Sequence, residues 1–143
     1  MKFVCQRGAC CAVGAWAAAT LDQNQWIQVD FISTHRILSV TTQGRPANSE
    51  LVTSYYVSYS QDGANWMDIA TLYDGNVDSD TKRTNYLPAF TEARFLRLRP
   101  HAWSTQIAMR FDVTGCKVTS KLLCASRVSS LYFAEIYGAA FRR

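Results

Sequence analysis

Apolar and polar residues alternate along the middle of this chain in short runs, with glycine, proline, aspartate or asparagine between them. The runs lie at 25–31, 36–40, 55–60, 66–70, 93–99 and 107–113. A period of two sends successive side chains to opposite faces of an extended segment, so each run predicts a strand with one face buried. Several such strands in sequence predict an all-β domain whose sheets pack face to face. Asp62-Gly63, between the runs at 55–60 and 66–70, predicts a hairpin, because glycine accepts the positive φ of a tight turn.

Two long connections interrupt the pattern. The first, 41–52, carries Gly44 and Pro46 near its start and protrudes between strands. The second, 73–86, is polar throughout and ends at Leu87-Pro88. Polar loops longer than about 12 residues are more often functional or disordered than incidental. In the tail, 131–137 fits a strand or a short helix equally well.

The length of 143 residues, with 48% hydrophobic and 13% aromatic residues, suits one domain with a single core. The net charge of +4 comes from 15 basic residues spread along the chain, which argues against nucleic acid as a partner, since a binder of that kind gathers its basic residues into a stripe. No run reaches the roughly 18–20 apolar residues of a transmembrane helix. Lys2 and Arg7 followed by the small, apolar stretch 9–19 imitate a secretory signal, but the signal is not convincing, because cleavage after Ala19 would remove Trp16 from the fold.

Five cysteines, Cys5, Cys10, Cys11, Cys116 and Cys124, flank the strand-rich region. That placement suits a disulfide tying the first strand to the last in an extracellular domain. The odd count leaves at least one thiol over, and no spacing makes a zinc site.

Candidate chemistry is sparse. His35 and His101 have no partner at metal-ligand spacing, and neither a nucleophile elbow nor a phosphate-binding glycine loop occurs, so a non-enzyme is expected, with no catalytic residues. Asp74, Asn76, Asp78 and Asp80 alternate as oxygen ligands do at the start of a calcium loop. Ser79 stands where such a loop wants glycine and Asn85 where it wants glutamate, which leaves a looser calcium site as the one cofactor to consider. Lys82 and Arg83 suit a phosphate or sulfate group. Arg94, Arg97, Arg99 and Arg110 are expected to pair with Asp30, Asp68 or Asp112 across strands, and Trp16, Trp26, Trp66 and Trp103 are assigned to the core.

An ordered set of short motifs carries a resemblance. Gly14-Ala15-Trp16 comes first, followed by 22–30, which contains Trp26-Ile27-Gln28-Val29-Asp30, and then Thr42-Gln43-Gly44-Arg45. After these come 59–66 around Asp62-Gly63, then 74–78, 93–100 with Trp103, and 108–116 ending in Gly115-Cys116. Over 14–116 the chain resembles the discoidin family, also called the coagulation-factor type C domain. The resemblance implies a distorted jelly-roll β-barrel or sandwich of two antiparallel sheets, with ligand-contacting loops protruding at one end. Residues 1–13 then form a shortened N-terminal segment, since members of the family carry about 35 or more residues before the Gly-Ala-Trp element, and one sheet is expected to lack an edge. Residues 117–143 form a C-terminal tail.

The family's disulfide implies Cys116 as one half, with a partner among Cys5, Cys10, Cys11 and Cys124. Its loops imply a binding surface here at Arg45, Glu50, Leu51 and Val52, with Leu51 and Val52 as an apolar tip, joined by Lys82 and Arg83. The function implied is an extracellular or cell-surface recognition and adhesion module for cell-surface glycan or protein. The alternative is a peripheral binder of anionic phospholipid, and a third possibility is an accessory carbohydrate-binding part of a larger enzyme.

Overall fold

The computed structural model describes residues 2–5, 14–46, 49–89, 91–118 and 129–130. Among them every regular element is a strand: β1 (Lys2–Cys5), β2 (Trp16–Ala17), β3 (Ile27–Gln43), β4 (Leu51–Ser60), β5 (Met67–Asp74), β6 (Arg83–Tyr86), β7 (Glu92–Ser104), β8 (Ala108–Lys117) and β9 (Ser129–Ser130). All named pairings are antiparallel.

The runs at 25–31 and 36–40 are not two strands but one. β3 spans 17 residues and belongs to both layers. Its first part pairs with β7 on one side, through Ile27–Asp30 against Leu98–Phe95, and with β1 on the other. Beyond an irregularity between Asp30 and His35, it keeps β7 only at His35 and Arg36, pairs with β8 from His35 to Gln43, and takes β6 at Ser39–Thr42. At that bend Ile32 has φ 71°, a left-handed conformation that a β-branched residue adopts only at a cost. One layer is therefore β1-β3-β7-β4-β5, and the other is β6-β3-β8 with β2 and β9 on β8. Because β1 pairs with β3, the edge expected to be missing is occupied.

Between the layers lie Val29, Ile37, Val40, Tyr55, Val57, Leu96, Leu98, Met109, Phe111 and Val113, with Trp16 fully enclosed. These are the inward positions of the alternating runs, and their removal from water is the main force holding the layers together. Tyr55 is buried with them, which pushes its phenol up to about 12, while its hydroxyl accepts from Asn85 Nδ2 at 3.0 Å. Gly63 has φ 77°, as the expected hairpin requires, and Asp62 orders that turn by accepting from the backbone of Ala64 and Asn65.

Cys116 is disulfide-bonded. The side chains of its candidate partners Cys5, Cys10, Cys11 and Cys124 lie outside the described residues, as does the segment 131–137.

Candidate functional site at the loop end

Two loops meet at one end of the barrel: the described residues 44–46 and 49–50, between β3 and β4, and 75–82, between β5 and β6. Both are held against the strands. Arg45 and Glu50 extend the strand pair by one bridge, with Arg45 N donating to Glu50 O and a 2.8 Å ion pair between their mostly buried side chains. In the second loop Gly75 N donates to Thr53 O and Asn76 N to Val52 O. A Cβ on Gly75 would lie 2.2 Å from Val52 O, so only glycine permits this approach. Gly44 has the same role between the loops, since its Cβ would lie 2.8 Å from Ser79 Cα.

Two side chains lock the arrangement from below. Asn76 is buried and donates through Nδ2 to Thr42 O at 3.0 Å and Thr81 O at 2.8 Å. Arg110, reaching from β8, donates through Nε to Gly44 O and through Nη2 to Ser79 O, both at 2.8 Å, and so holds both loops at once. Asp78 closes the turn of the second loop by accepting from Asp80 N and Thr81 N, and those bonds hold its carboxyl below the usual carboxylate range. The result is an open groove of about 690 Å³, lined among others by Ser49, Thr53, Asp74, Val77, Arg83 and Ser104.

The predicted site residues fall into different places. Leu51 and Val52 do not form an exposed tip. They begin β4 and are 4% and 1% exposed, because the strand starts four residues earlier than the run at 55–60 suggested. The exposed apolar residue at this end is Val77, 82% exposed, which the sequence reading passed over as part of a polar stretch. Arg45 and Glu50 serve mainly each other. Lys82 is exposed, and Arg83, on β6, pairs with Asp74 at 2.9 Å beside the groove. Asp74, Asn76, Asp78 and Asp80 do not converge. Asp74 meets Arg83, Asn76 points its amide nitrogen at two carbonyls, Asp78 caps its own turn and Asp80 lies 3.6 Å from Arg110. Among the described residues no three His, Cys, Asp or Glu side chains gather closely enough to hold a metal ion.

The cross-strand ion pairs Arg94–Asp30 and Arg99–Asp68 form as expected. Arg97 and Arg110 do otherwise. Arg97 donates to Gln28 Oε1 and lies between the rings of Trp26 and Trp66, 4.2 and 3.8 Å from their centroids. Trp26 and Trp66 are thus not core residues but the two plates of a cation-π sandwich on the outer face. Trp16 is core, and Trp103 packs on its margin. His35 turns Nδ1 to Ser33 O and His101 faces Gln23, so each histidine has a structural neighbour.

Comparison with known proteins agrees with this architecture. The model of the F5/8 type C domain matches residues 11–113. The EGF-like repeat and discoidin I-like domain-containing protein 3 of Mus musculus is 34% identical over 113 residues, covering 73% of this chain and 24% of that protein. Mouse coagulation factor VIII is 36% identical over 110 residues, covering 72% of this chain and 5% of the relative. Lactadherin of Bos taurus is 31% identical over 111 residues, covering 71% and 26%. The chain therefore spans at most about a quarter of these relatives. Among solved structures, discoidin II of Dictyostelium discoideum superposes with a TM-score of 0.69 at 27% identity, covering 74% of this chain and 43% of that one. A Clostridium perfringens protein in complex with GalNAc-β-1,3-galactose shares the fold, with a TM-score of 0.54 at 21% identity, covering 62% and 64%. A bent strand shared by two antiparallel layers, loops clamped at one end and a family match over most of the chain lead to one conclusion: this chain belongs to the F5/8 type C, or discoidin, domain family.

Proposed function

We propose that this chain is a non-catalytic extracellular recognition and adhesion module, binding cell-surface glycan or protein through the groove lined by Ser49, Thr53, Val77, Arg83 and Ser104. The observation that carries the reading is the double clamp of Arg110 and Asn76, which fixes both walls of a groove of mixed polar and apolar lining. Preformed loops lose little entropy on binding, and recognition by rigidly mounted loops needs no reactive group. The disulfide at Cys116 suits an oxidising compartment. Support for a glycan comes from the disaccharide bound by the Clostridium perfringens relative in fold.

A glycan array with the purified chain tests this reading, alongside a cell-adhesion assay. Binding to a defined set of glycans, or to cells, that is lost in Arg83→Ala supports it. Blank arrays together with no adhesion by a folded protein would remove it.

A second reading, a peripheral binder of anionic phospholipid, rests on a different residue from the one first expected. Val77 projects from the second loop with Lys82 and Arg83 following, an apolar contact beside basic groups. Vesicles with and without phosphatidylserine separate the two readings. Retention on the anionic vesicles alone, abolished by Val77→Ser, favours lipid, and equal sedimentation from both vesicle types argues against it.

A further inference from the structure

On the outward side of the β4, β5 and β7 layer lies an open cleft of about 350 Å³, lined by Gln23, Tyr56, Asp68, Ala70, Arg99 and His101, with Pro100 and Ile69 beneath. It has no lining residue in common with the loop-end groove. Its volume lies at the small end of ordinary ligand sites, roughly 300–1,000 Å³. Antiparallel pairing assembles it: Tyr56 stands opposite Arg99 on β7, and Ser58 stands opposite Asp68 on β5.

The groups lining the cleft are only partly engaged with one another. Arg99 Nη2 meets Asp68 Oδ2 at 3.1 Å, and Ser58 Oγ donates to Asp68 Oδ1 at 2.6 Å. A carboxylate has about four acceptor sites, so roughly two remain on Asp68, which is mostly exposed. Arg99 has about five N–H donors, and its Nε is buried with no acceptor among the described residues. His101 and Tyr56 form a T-shaped pair with ring centroids 5.4 Å apart, the Arg99 guanidinium lies 5.9 Å from the Tyr56 centroid, and Gln23 Nε2 reaches the His101 ring nitrogen at 3.3 Å and its carbonyl at 3.1 Å. Ala70 and Pro100 add small apolar patches between these polar groups.

We infer that this cleft is a second binding site, for a neutral hexose unit, on the sheet face and separate from the loop end. Three properties point to that ligand. Asp68 and Arg99 cancel each other's charge, so the cleft offers no net field for an ion. Donors and acceptors alternate over a short distance, as neighbouring sugar hydroxyls require, because each hydroxyl both donates and accepts. The Tyr56 ring beside Ala70 and Pro100 suits the apolar C–H face of a pyranose. The inference does not depend on the loop-end reading, and each can fail alone.

The test is a backbone-amide NMR titration of the intact chain with the methyl glycosides of galactose, glucose, mannose and N-acetylglucosamine. The expected result is a shift cluster at Tyr56, Asp68, Ala70, Arg99 and His101 with at least one glycoside. Ala70 is exposed on a strand, so Ala70→Trp fills the cleft without entering the core, and it should abolish the cluster while leaving the melting temperature within a degree or two. Asp68→Asn should weaken the same binding about tenfold, and it serves as the second variant should Ala70→Trp fold poorly. Shifts confined to Ser49, Val77, Ser79 and Ser104 would overturn the inference and leave the loop-end function standing. A folded protein with no shifts at the cleft, or a cluster that persists in both variants, would also overturn it.

Discussion

Asp30 lies where β3 bends, and three donors hold its carboxylate: Arg94 Nε at 2.9 Å, Arg94 Nη2 at 3.0 Å and Ile32 N at 2.7 Å. The Arg94 guanidinium holds the Asp30 carboxyl below its usual value, and the backbone bond from Ile32 adds to this against the opposing effect of burial. A depressed folded-state value means that the ionised form stabilises the fold above the unfolded carboxylate pKa, near 3.9, and that this contribution is lost as pH falls through the lowered value. Asp30→Asn should therefore lower the melting temperature by a few degrees at pH 7, and the gap should close as pH falls below the unfolded carboxylate value and through the lowered folded one; a gap that stays constant would contradict the linkage. Ile32, beside it, is 52% exposed and strained at φ 71°. Ile32→Asn should stabilise the protein by about 1 kcal/mol in denaturant unfolding, since asparagine tolerates the left-handed region and little packing is lost. The pairing of Arg94 with Asp30 was legible as a charge pattern on neighbouring runs. The strain at Ile32 was not, because nothing in a residue's identity reveals the φ that its neighbours impose.

Among the elements, the second loop shows best how polar residues are tied down. Its identity as a long polar stretch was readable, but the strand inside it was not. β6 is Arg-Thr-Asn-Tyr, without a hydrophobic alternation, and it forms because β3 presents an open edge at residues 39–42. Asn76 reads as a possible metal ligand in the sequence, yet its buried amide donates to two carbonyls, Thr42 O in β3 and Thr81 O in its own loop. Asn76→Ala should cost about 2 kcal/mol in denaturant unfolding and raise hydrogen exchange in residues 75–82. An unchanged exchange rate there would show that the loop is held by other means. For the same reason the addition of a calcium chelator should change neither the melting temperature nor ligand binding, since the oxygen-bearing side chains of this loop already have partners within the protein. A fall in melting temperature on chelation would reopen the calcium site. Leu51 and Val52 show the opposite case, in which apolar residues beside a loop resemble its tip in sequence but are buried in the strand that follows. Periodicity marked the strand only from residue 55, and its burial against the other layer became visible with the pairing of Leu51 and Val52 to Ser104 and Trp103.

For the whole molecule, covalent closure and layer packing act together. Reduction of the Cys116 disulfide should lower stability by roughly 2–5 kcal/mol, the range for a bridge in a small extracellular domain, and intact mass before and after reduction checks that the bond is present. A melting temperature unaffected by reduction would show that the strands alone hold the barrel. Alternation of apolar and polar residues determined the all-β class, most of the inward-facing core and the places where loops must interrupt it, because a period of two is a local property that survives any arrangement of the strands. The tertiary structure alone decided that two of the predicted strands are one bent strand shared by both layers, and that β1 pairs along the free side of β3. It alone placed Arg110, Gly44 and Asn76 as the parts that shape the binding end, and set Arg97 between two tryptophans on the outer face. Those outcomes depend on which distant backbone atoms come within a few ångströms of each other, and residue order carries that information only through the global packing it produces.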